Sequence, residues 1–527
     1  VIVRQGRYRF ILAACAIVLA GALARVAVAA LKTDYHVDEG ITLALTNGTW
    51  SPPVVAGLFE RWVDKAELEE FVFNGKLRAL GRVDFDGISR STAWDVHPPL
   101  FYWLYAAARL AVGVDRHMAA CLLVNLPCFA FAAVFLVLAM RRATGDGRLS
   151  FLALALFAFS PAGISVTSFI RMYELLSFAC AGFFCCAAFA VIPGQDGRFG
   201  ASRWGAVIAL ATFSFIGALS HYYFLLFALP VCAACAVILA RRGDAHALLW
   251  GALAVLVGLY AAYRVFPAME THLFHSYRAK EGVGSLLRAG AGRRLGSVWA
   301  FALIVVRYMP AVAASLAVVG ALAVPPLRAR LRAMDAEAGA TRPSAAFVAL
   351  LGVVFAFTFL AVSLTAPYRS LRYLVAFGPV YAMFGACAVA RLLPGRRAHL
   401  ALGAALALGV MPGLFPCNIA HFHEDYPVDR DPAYLSDGTP IIVVSNAQGF
   451  SWRNMLPYKR IPRGTRVYVT MRDSGQDLAR SLAPAVSSSG SETVYAMVDA
   501  LFSPPRDMER VGYYGFFGVY RVRAPSQ

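Results

Sequence analysis

Residues 10–31 read FILAACAIVLAGALARVAVAAL, and residues 35–40, directly after, read YHVDEG. The first stretch is one apolar run of about the 20 residues that a helix needs to cross a hydrocarbon core. The second places Asp38 and Glu39 side by side where a chain would leave the membrane. Carboxylates are costly near lipid, and like charges at adjacent positions repel. Such a pair at a helix end is either a hydrated terminus or a functional site.

The rest of the chain repeats the first pattern. Of 527 residues, 59% are hydrophobic and 15% charged, against about 45–50% and 25% in soluble domains. Runs such as HALLWGALAVLVGLYAAYRVF (246–266) recur. The expected spans are 10–31, 118–140, 149–168, 174–192, 204–220, 222–240, 246–266, 297–324, 344–366, 373–391 and 398–416. The fold class is therefore mostly α, a polytopic bundle of about 11–13 spans. PPLFYWLYAAARLAVG (98–113) is apolar but short and carries Arg109, so it either spans or lies at the interface.

The net charge of +18 is spread in short clusters between apolar runs, which argues against nucleic acid and for loops that set topology. With Arg4, Arg7 and Arg9 cytoplasmic and 98–113 not crossing, the basic loops at 141–148, 194–203, 241–246, 326–343 and 391–399 all fall inside. The segment 32–97 is then a long first outer loop. In it, PPVVAGLFERWV (52–63) and KAELEEFVFNGKLRAL (65–80) read as interfacial helices. The basic loop 267–296 also falls outside, against the trend, and reads either as a mobile lid or as a headgroup contact.

The ten cysteines lie in or at the end of apolar runs and read as small buried hydrophobes, with no disulfide framework. Cys232 and Cys235 have no second ligand pair, which argues against zinc. The N-terminal run is too long for a signal-peptide core and reads as a retained first helix.

The domains expected are 1–416, membrane-embedded, and 417–527, a small extracytoplasmic α/β domain. In the latter, 438–445, 466–471 and 492–498 read as strands, 477–486 as a helix and YYGFFGVYRVR (513–523) as a last strand.

The basic loops, independently of the polar residues at the outer helix ends, place those residues on one face. They are Asp38, Glu39, His97 of DVHPPL, Arg171, Tyr173 and Glu174 of SFIRMYELL, His221 and Tyr222 of LSHYYF, and Arg369, Arg372 and Tyr373 of APYRSLRYL. Each has a plainer reading: an i, i+3 pair for Arg171 and Glu174, snorkelling for Arg372, an aromatic belt for HYY, a helix start for HPPL. Asn47 of NGT matches a glycosylation sequon but reads first as a turn. Taken together, a basic and aromatic cluster suits a lipid-linked phosphate, and a carboxylate opposite suits a general base. No P-loop or dinucleotide fingerprint appears in a strand–helix context. Repulsion between Asp38 and Glu39, with partial desolvation, is expected to raise one carboxyl toward neutrality.

At these residues the chain resembles the GT-C glycosyltransferases. The resemblance rests on a first helix followed by VDEG, then HPPLFYWL (97–104), SPAGISVTSFIRMYELLSF (160–178), SHYYF (220–224) and RSLRYLVAFGP (369–379). It is nearest to the bacterial branch related to protein O-mannosyltransferases and to the aminoarabinose and galacturonic acid transferases of lipid A, and covers roughly residues 1–390. It implies an inverting transfer of a sugar from a polyprenyl phosphate, such as undecaprenyl phosphate, to an envelope acceptor. The acceptor would be lipid A, another glycan or a protein, at the periplasmic face of the bacterial cytoplasmic membrane. Asp38 would be the catalytic or acceptor-orienting aspartate, with Glu39 beside it. His97, which is lysine in the aminoarabinose branch, would line the donor phosphate site with Arg171, Tyr173, His221, Tyr222, Arg369 and Arg372. No cofactor is expected, although the metal-dependent oligosaccharyl-transferring members leave open a divalent ion at Asp38, Glu39 and His97. A transporter or flippase is the rival reading, and would need ionisable residues mid-span and paired broken helices, for which Arg25, Arg109 and Arg307 are the few candidates. A bare membrane anchor for the C-terminal domain would not need so many helices.

Overall fold

The computed structural model describes residues 2–32, 35–49, 59–193, 202–275, 290–309, 343–366, 369–392, 433–446, 461–472, 478–499, 508–514 and 517–523, with scattered positions between 313 and 329. The first helix, α1 (Ile2–Ala30), is followed by the short α2 (Val37–Thr46). A strand β1 (Trp62–Asp64) leads into α3 (Lys65–Glu69), a π-helical turn (Glu70–Asn74), α4 (Gly75–Leu80), α5 (Phe85–Trp94) and α6 (Leu100–Val112). The bundle continues with α7 (His117–Thr144), α8 (Gly147–Ala158), α9 (Pro161–Thr167), α10 (Tyr173–Val191), α11 (Ser202–Ser220), α12 (Tyr223–Arg241) and α13 (Ala245–Val265). After a second π turn (Thr271–His275) come α14 (Ala291–Tyr308), α15 (Ala345–Thr365), the single turn α16 (Arg372–Val375) and α17 (Gly378–Leu392).

Among the described residues, seven helices are long and apolar enough to cross a membrane, and eight if the bent pair α8–α9 counts as one span. The chain is a multi-pass membrane protein. The expected run 297–324 is described as continuous helix to Tyr308, with further helical positions at 313, 316, 317 and 320, and 398–416 lies outside the described residues.

The run 149–168, expected as one helix, is two helices bent by 54°. Pro161 explains the break. It lacks the N–H that would continue α8, and it disfavours helical geometry at Ser160. Ser160 instead caps α9, its Oγ accepting from Gly163 N at 3.4 Å, with Pro161 in the first turn.

The short run 98–113 forms α6, whose 13 residues reach about 20 Å, too short for a core of about 30 Å. Its Arg109 is fully buried and donates to the carbonyls of Val114 and Phe73 and to Asn74 Oδ1. Asn47 is also buried. It donates to the Phe71 and Val72 carbonyls and accepts from Leu77 N, so it fastens α2 to the π turn and does not present a sequon.

The helical expectation for 52–63 is corrected at its end: Trp62–Asp64 are strand, and 51–58 lie outside the described residues. The strand is set by a partner some 400 residues away. β1 pairs antiparallel with β3 (Arg466–Arg472), Val63 facing Val467. The C-terminal elements are the single helical turn α18 (Ala433–Ser436), β2 (Ile441–Asn446), β3, α19 (Leu478–Ser488), β4 (Thr493–Asp499), β5 (Glu509–Tyr514) and β6 (Phe517–Arg523). The sheet order is β1-β3-β2-β4-β6-β5, parallel at β3-β2-β4 and antiparallel elsewhere. The α19 crossover carries the chain from β3 across β2 to β4, so that β3 and β4 run in the same direction on either side of β2. The expected single strand 513–523 is instead part of two paired strands, with Tyr514 facing Phe517.

One face of the sheet packs on α19 through Ile442, Val444, Leu482 and Val486. The other face, with Val443, Val467, Val469 and Val519, shares a core with Leu68 of α3, Val72 of the first π turn, and Phe101 and Tyr105 of α6. The bundle has its own core, centred on α7, α8, α10, α12, α15 and α17. Helix α10 is its most enclosed span, with 89% of its apolar window buried.

Candidate active site

Five places in the chain build the site: the α1–α2 junction, the α5–α6 junction, the α9–α10 junction, the α11–α12 turn and the start of α16. The first opens with a capping box. His36 is the N-cap of α2, its Nδ1 accepting from Asp38 N at 3.1 Å, and Glu39 Oε2 accepts from His36 N at 2.7 Å. Glu39 Oε1 accepts from Ile170 N at 2.8 Å and from Lys32 Nζ. The two neighbouring carboxylates therefore diverge. Glu39 is fully buried and holds α2 to the α9–α10 junction. Asp38 points the other way and accepts from Arg372 Nη1 at 2.5 Å.

This overturns the expected rise of a carboxyl toward neutrality at Asp38. Burial pushes its carboxyl up, but Arg372, then Arg171, His36 and His97, outweigh that and hold it well below the usual carboxylate range. Repulsion within the pair was the wrong dominant effect, because each carboxylate has its own cation.

The α9–α10 junction is fastened from several sides. Lys32 donates to the Ser168 carbonyl at 2.9 Å, and Asn125 Nδ2 to the Thr167 carbonyl at 3.0 Å. Arg25, in α1, donates to Thr167 Oγ1 at 3.0 Å, and its guanidinium lies 3.6 Å from the centre of the Phe129 ring. Arg171, at the end of this junction, is only 3% exposed. Its Nη1 donates to Thr42 Oγ1 and Tyr102 OH, both at 3.2 Å, while its buried Nε has no acceptor among the described residues. Glu174, three residues on, accepts from Thr167 Oγ1 at 3.1 Å and does not form the plain i, i+3 pair with Arg171.

His97 Nδ1 lies 2.8 Å from Asp95 Oδ2. Its ring meets the His221 ring at 5.3 Å between centroids. His221 also packs against Tyr173 at 5.8 Å and Tyr223 at 4.8 Å, and its Nδ1 accepts from Tyr223 N at 3.0 Å. Tyr223 in turn meets Tyr373, over whose ring the Arg372 guanidinium sits at 5.2 Å. Burial lowers the proton affinity of both imidazoles. At His97 the nearby Asp95 opposes this, and at His221 the neighbouring His97 adds to it.

The structure thus brings together Asp38, His97, Arg171, Tyr173, His221 and Arg372. Glu39 supports the group from behind. Tyr222 is adjacent in sequence, but its hydroxyl lies 2.8 Å from His272 Nδ1, and His272 Nε2 reaches the Ala93 carbonyl at 3.1 Å. Arg369 is exposed, three residues before Arg372. Sequence reading missed Lys32, Thr42, Asp95, Tyr102, Asn125 and Tyr223. Asp95 and Tyr102 flank HPPL, and their nearness to His97 was the available signal.

Among the described residues, no three His, Cys, Asp or Glu side chains form a metal-holding group. Asp38, Glu39 and His97 do not suit a divalent ion, since Arg372 takes Asp38 while Lys32 and two backbone N–H groups take Glu39.

No protein-family model matches the sequence, and no curated protein matches it. Among solved structures, ArnT from Cupriavidus metallidurans bound to undecaprenyl phosphate matches with a TM-score of 0.52 at 12% identity, over 99% of each chain. This chain has the ArnT-like GT-C fold. The same ArnT in its apo state gives a TM-score of 0.48 at 13% identity over 100% of both chains. The Archaeoglobus fulgidus oligosaccharyltransferase in complex with Zn and sulfate gives 0.47 at 12% identity, covering 91% of this chain and 68% of the other. The fold agrees with the resemblance carried by VDEG, HPPL and the R-x-Y segment. It reaches past residue 390 to the C-terminal sheet.

Proposed function

We propose that this chain is an inverting glycosyltransferase of the bacterial cytoplasmic membrane. It would move a sugar from a polyprenyl-phosphate donor to a hydroxyl of an envelope acceptor (lipid A, another glycan or a protein). The active site and the C-terminal domain would face the periplasm, and residues 1–416 and 417–527 would be the two domains, with β1 of the outer loop completing the sheet of the second.

The observation that carries this reading is the buried Arg171 with an unsatisfied Nε–H beside the Asp38–Arg372 pair. Leaving a buried donor unpaired costs about 1–3 kcal/mol, which a phosphate oxygen would recover. Arg372 gives a second guanidinium, and arginines bind phosphate through paired, charge-assisted hydrogen bonds. His221 adds a donor: with Nδ1 accepting from Tyr223 N, its neutral ring carries the proton on Nε2. These groups would stabilise the negative charge that grows on the departing phosphate. Tyr173 packs against His221 and orients it, Glu39 fixes the junction carrying Arg171, and Arg369 and Tyr222 lie at the margin. ArnT was solved with undecaprenyl phosphate, a ligand of the proposed class, on the same fold.

The test is direct. Purified protein in nanodiscs receives radiolabelled polyprenyl-phosphate sugars and an envelope acceptor fraction, and released polyprenyl phosphate is followed. Release coupled to labelled acceptor is expected. Passage of intact donor across the bilayer, with no release from any donor sugar, would establish the flippase reading instead.

A further inference from the structure

Resting on that reading, we infer that His97, oriented by Asp95, is the base that takes the acceptor proton, and that Asp38 is not. The geometry separates three histidines by what their rings can do. An ionised Asp95 can only accept, so at 2.8 Å the proton sits on His97 Nδ1 and the neutral ring keeps a lone pair on Nε2. Nε2 makes no hydrogen bond among the described residues. His221 and His36 are the reverse case. Each accepts a backbone N–H on Nδ1, so each neutral ring carries its proton on Nε2. A neutral His97 in this tautomer has no N–H to give a phosphate, whereas His221, 5.3 Å away between ring centroids, has one.

The facing rings thus present an acceptor and a donor across the site, which is the asymmetry that glycosyl transfer requires. Asp38 is the weaker rival, because Arg372 on its Oδ2 at 2.5 Å and Arg171 nearby hold its carboxyl well below the usual range and make it a weak base. A carboxylate oriented on Nδ1–H both fixes the tautomer and stabilises the imidazolium that forms.

The step balances as follows. The acceptor oxygen forms a bond to the anomeric carbon while its proton moves to His97 Nε2. The bond from the anomeric carbon to the phosphate oxygen breaks, and its electron pair leaves with polyprenyl phosphate. The imidazolium then gives the proton to solvent or to the departing phosphate.

The experiment uses the full-length protein in nanodiscs, measuring turnover with labelled donor and, separately, binding of polyprenyl phosphate alone. His97→Gln keeps a hydrogen-bonding side chain but cannot serve as a base. It should lower kcat by about 10²–10⁴-fold while polyprenyl phosphate binds within about threefold of wild type. Imidazole added to His97→Ala should restore part of the lost turnover. Asp95→Asn should lower kcat and leave lipid binding unchanged. His221→Gln should chiefly weaken lipid binding. The inference is overturned if His97→Gln keeps kcat within about threefold of wild type, or if His97→Lys is as active as wild type. It is overturned equally if kcat and lipid binding fall together, which would make His97 a phosphate ligand. If the His97 variants are not monodisperse on extraction, Asp95→Asn decides, and unchanged kcat there sinks the base. An active wild type with an active His97→Gln defeats only this inference, whereas a wild type that releases no polyprenyl phosphate defeats the function itself.

Discussion

Asp38 and Arg372, separated by 334 positions in the chain, meet at 2.5 Å where the start of α2 faces the start of α16. Both are largely buried, and Arg372 is the leading counter-charge of Asp38. Removing one partner of a buried pair costs up to roughly 3–5 kcal/mol, because it strands the other charge. Arg372→Gln should therefore lower thermal stability more than the double variant Asp38→Asn/Arg372→Gln does. A thermal-melt double-mutant cycle measures this, and additive losses would show the two not to be coupled.

The same contact sets an expectation for the donor. A phosphate arriving at Arg372 competes with Asp38 for its guanidinium. Asp38→Asn should then bind polyprenyl phosphate at least as tightly as wild type, while Arg372→Gln and Arg171→Gln bind it about tenfold or more weakly, in line with about 1.5–3 kcal/mol for a charged hydrogen bond. Weaker binding by Asp38→Asn would place Asp38 on the donor itself.

Much of this was legible in the sequence, and the failures have physical causes. Long apolar runs are self-announcing, because a lipid-crossing helix must satisfy its backbone internally. The convergence of Arg171, His221 and Arg372 followed from alternating helices with basic loops at the opposite end. The capping box His36-V-D-Glu39 was not seen because histidine holds the N-cap, where serine or threonine is the familiar signal. The direction of the shift at Asp38 was missed because adjacency in sequence says nothing of a cation 334 residues away. The bend at Ser160-Pro161 carried its signal in plain view, whereas β1 carried almost none. Three residues, Trp62–Asp64, are strand only because β3 is there to pair with them.

Glu39 should behave as a positioning residue. Its carboxylate accepts from His36 N, Ile170 N and Lys32, so Glu39→Gln loses the ion pair but keeps one acceptor oxygen. Turnover should fall less than in Arg171→Gln, with a lower melting temperature, and Lys32→Met should reproduce the loss. In the double variant Lys32→Met/Glu39→Gln the losses should be less than additive. Full additivity would show that the pair does not act as a unit.

Acid should weaken the fold through three buried imidazoles. Burial lowers the proton affinity of His97, His221 and His272 in the folded chain. As the pH falls below about 6.5, the unfolded chain takes up protons that the folded chain refuses, so stability falls with acid and is intact above that pH. Melting temperature in nanodiscs should be flat from about pH 8 to 7 and decline toward pH 5. His272→Gln and His221→Gln should each flatten the decline. An unchanged slope in both would mean that these rings are protonated without cost.

The pairing of β1 with β3 ties the segment between α1 and α6 to the C-terminal sheet, and it can be broken selectively. Val63 is 5% exposed and faces Val467, and backbone bonds continue the contact on either side, from Lys65 N to the Thr465 carbonyl and from Glu60 N to the Val469 carbonyl, both at 2.9 Å. Val63→Asp would bury an unpaired carboxylate there, a cost of several kcal/mol that the chain avoids most cheaply by releasing the three-residue strand. Amide exchange at 62–64 and 466–468 should then rise by orders of magnitude, while the parallel centre, 441–444, stays protected. That segment carries α2 and its capping box, so turnover should drop even though Val63 touches none of the proposed catalytic groups. Val63→Thr, similar in shape and uncharged, should retain both protection and activity. Unchanged exchange at 62–64 in Val63→Asp would show that the loop is held in place without this strand.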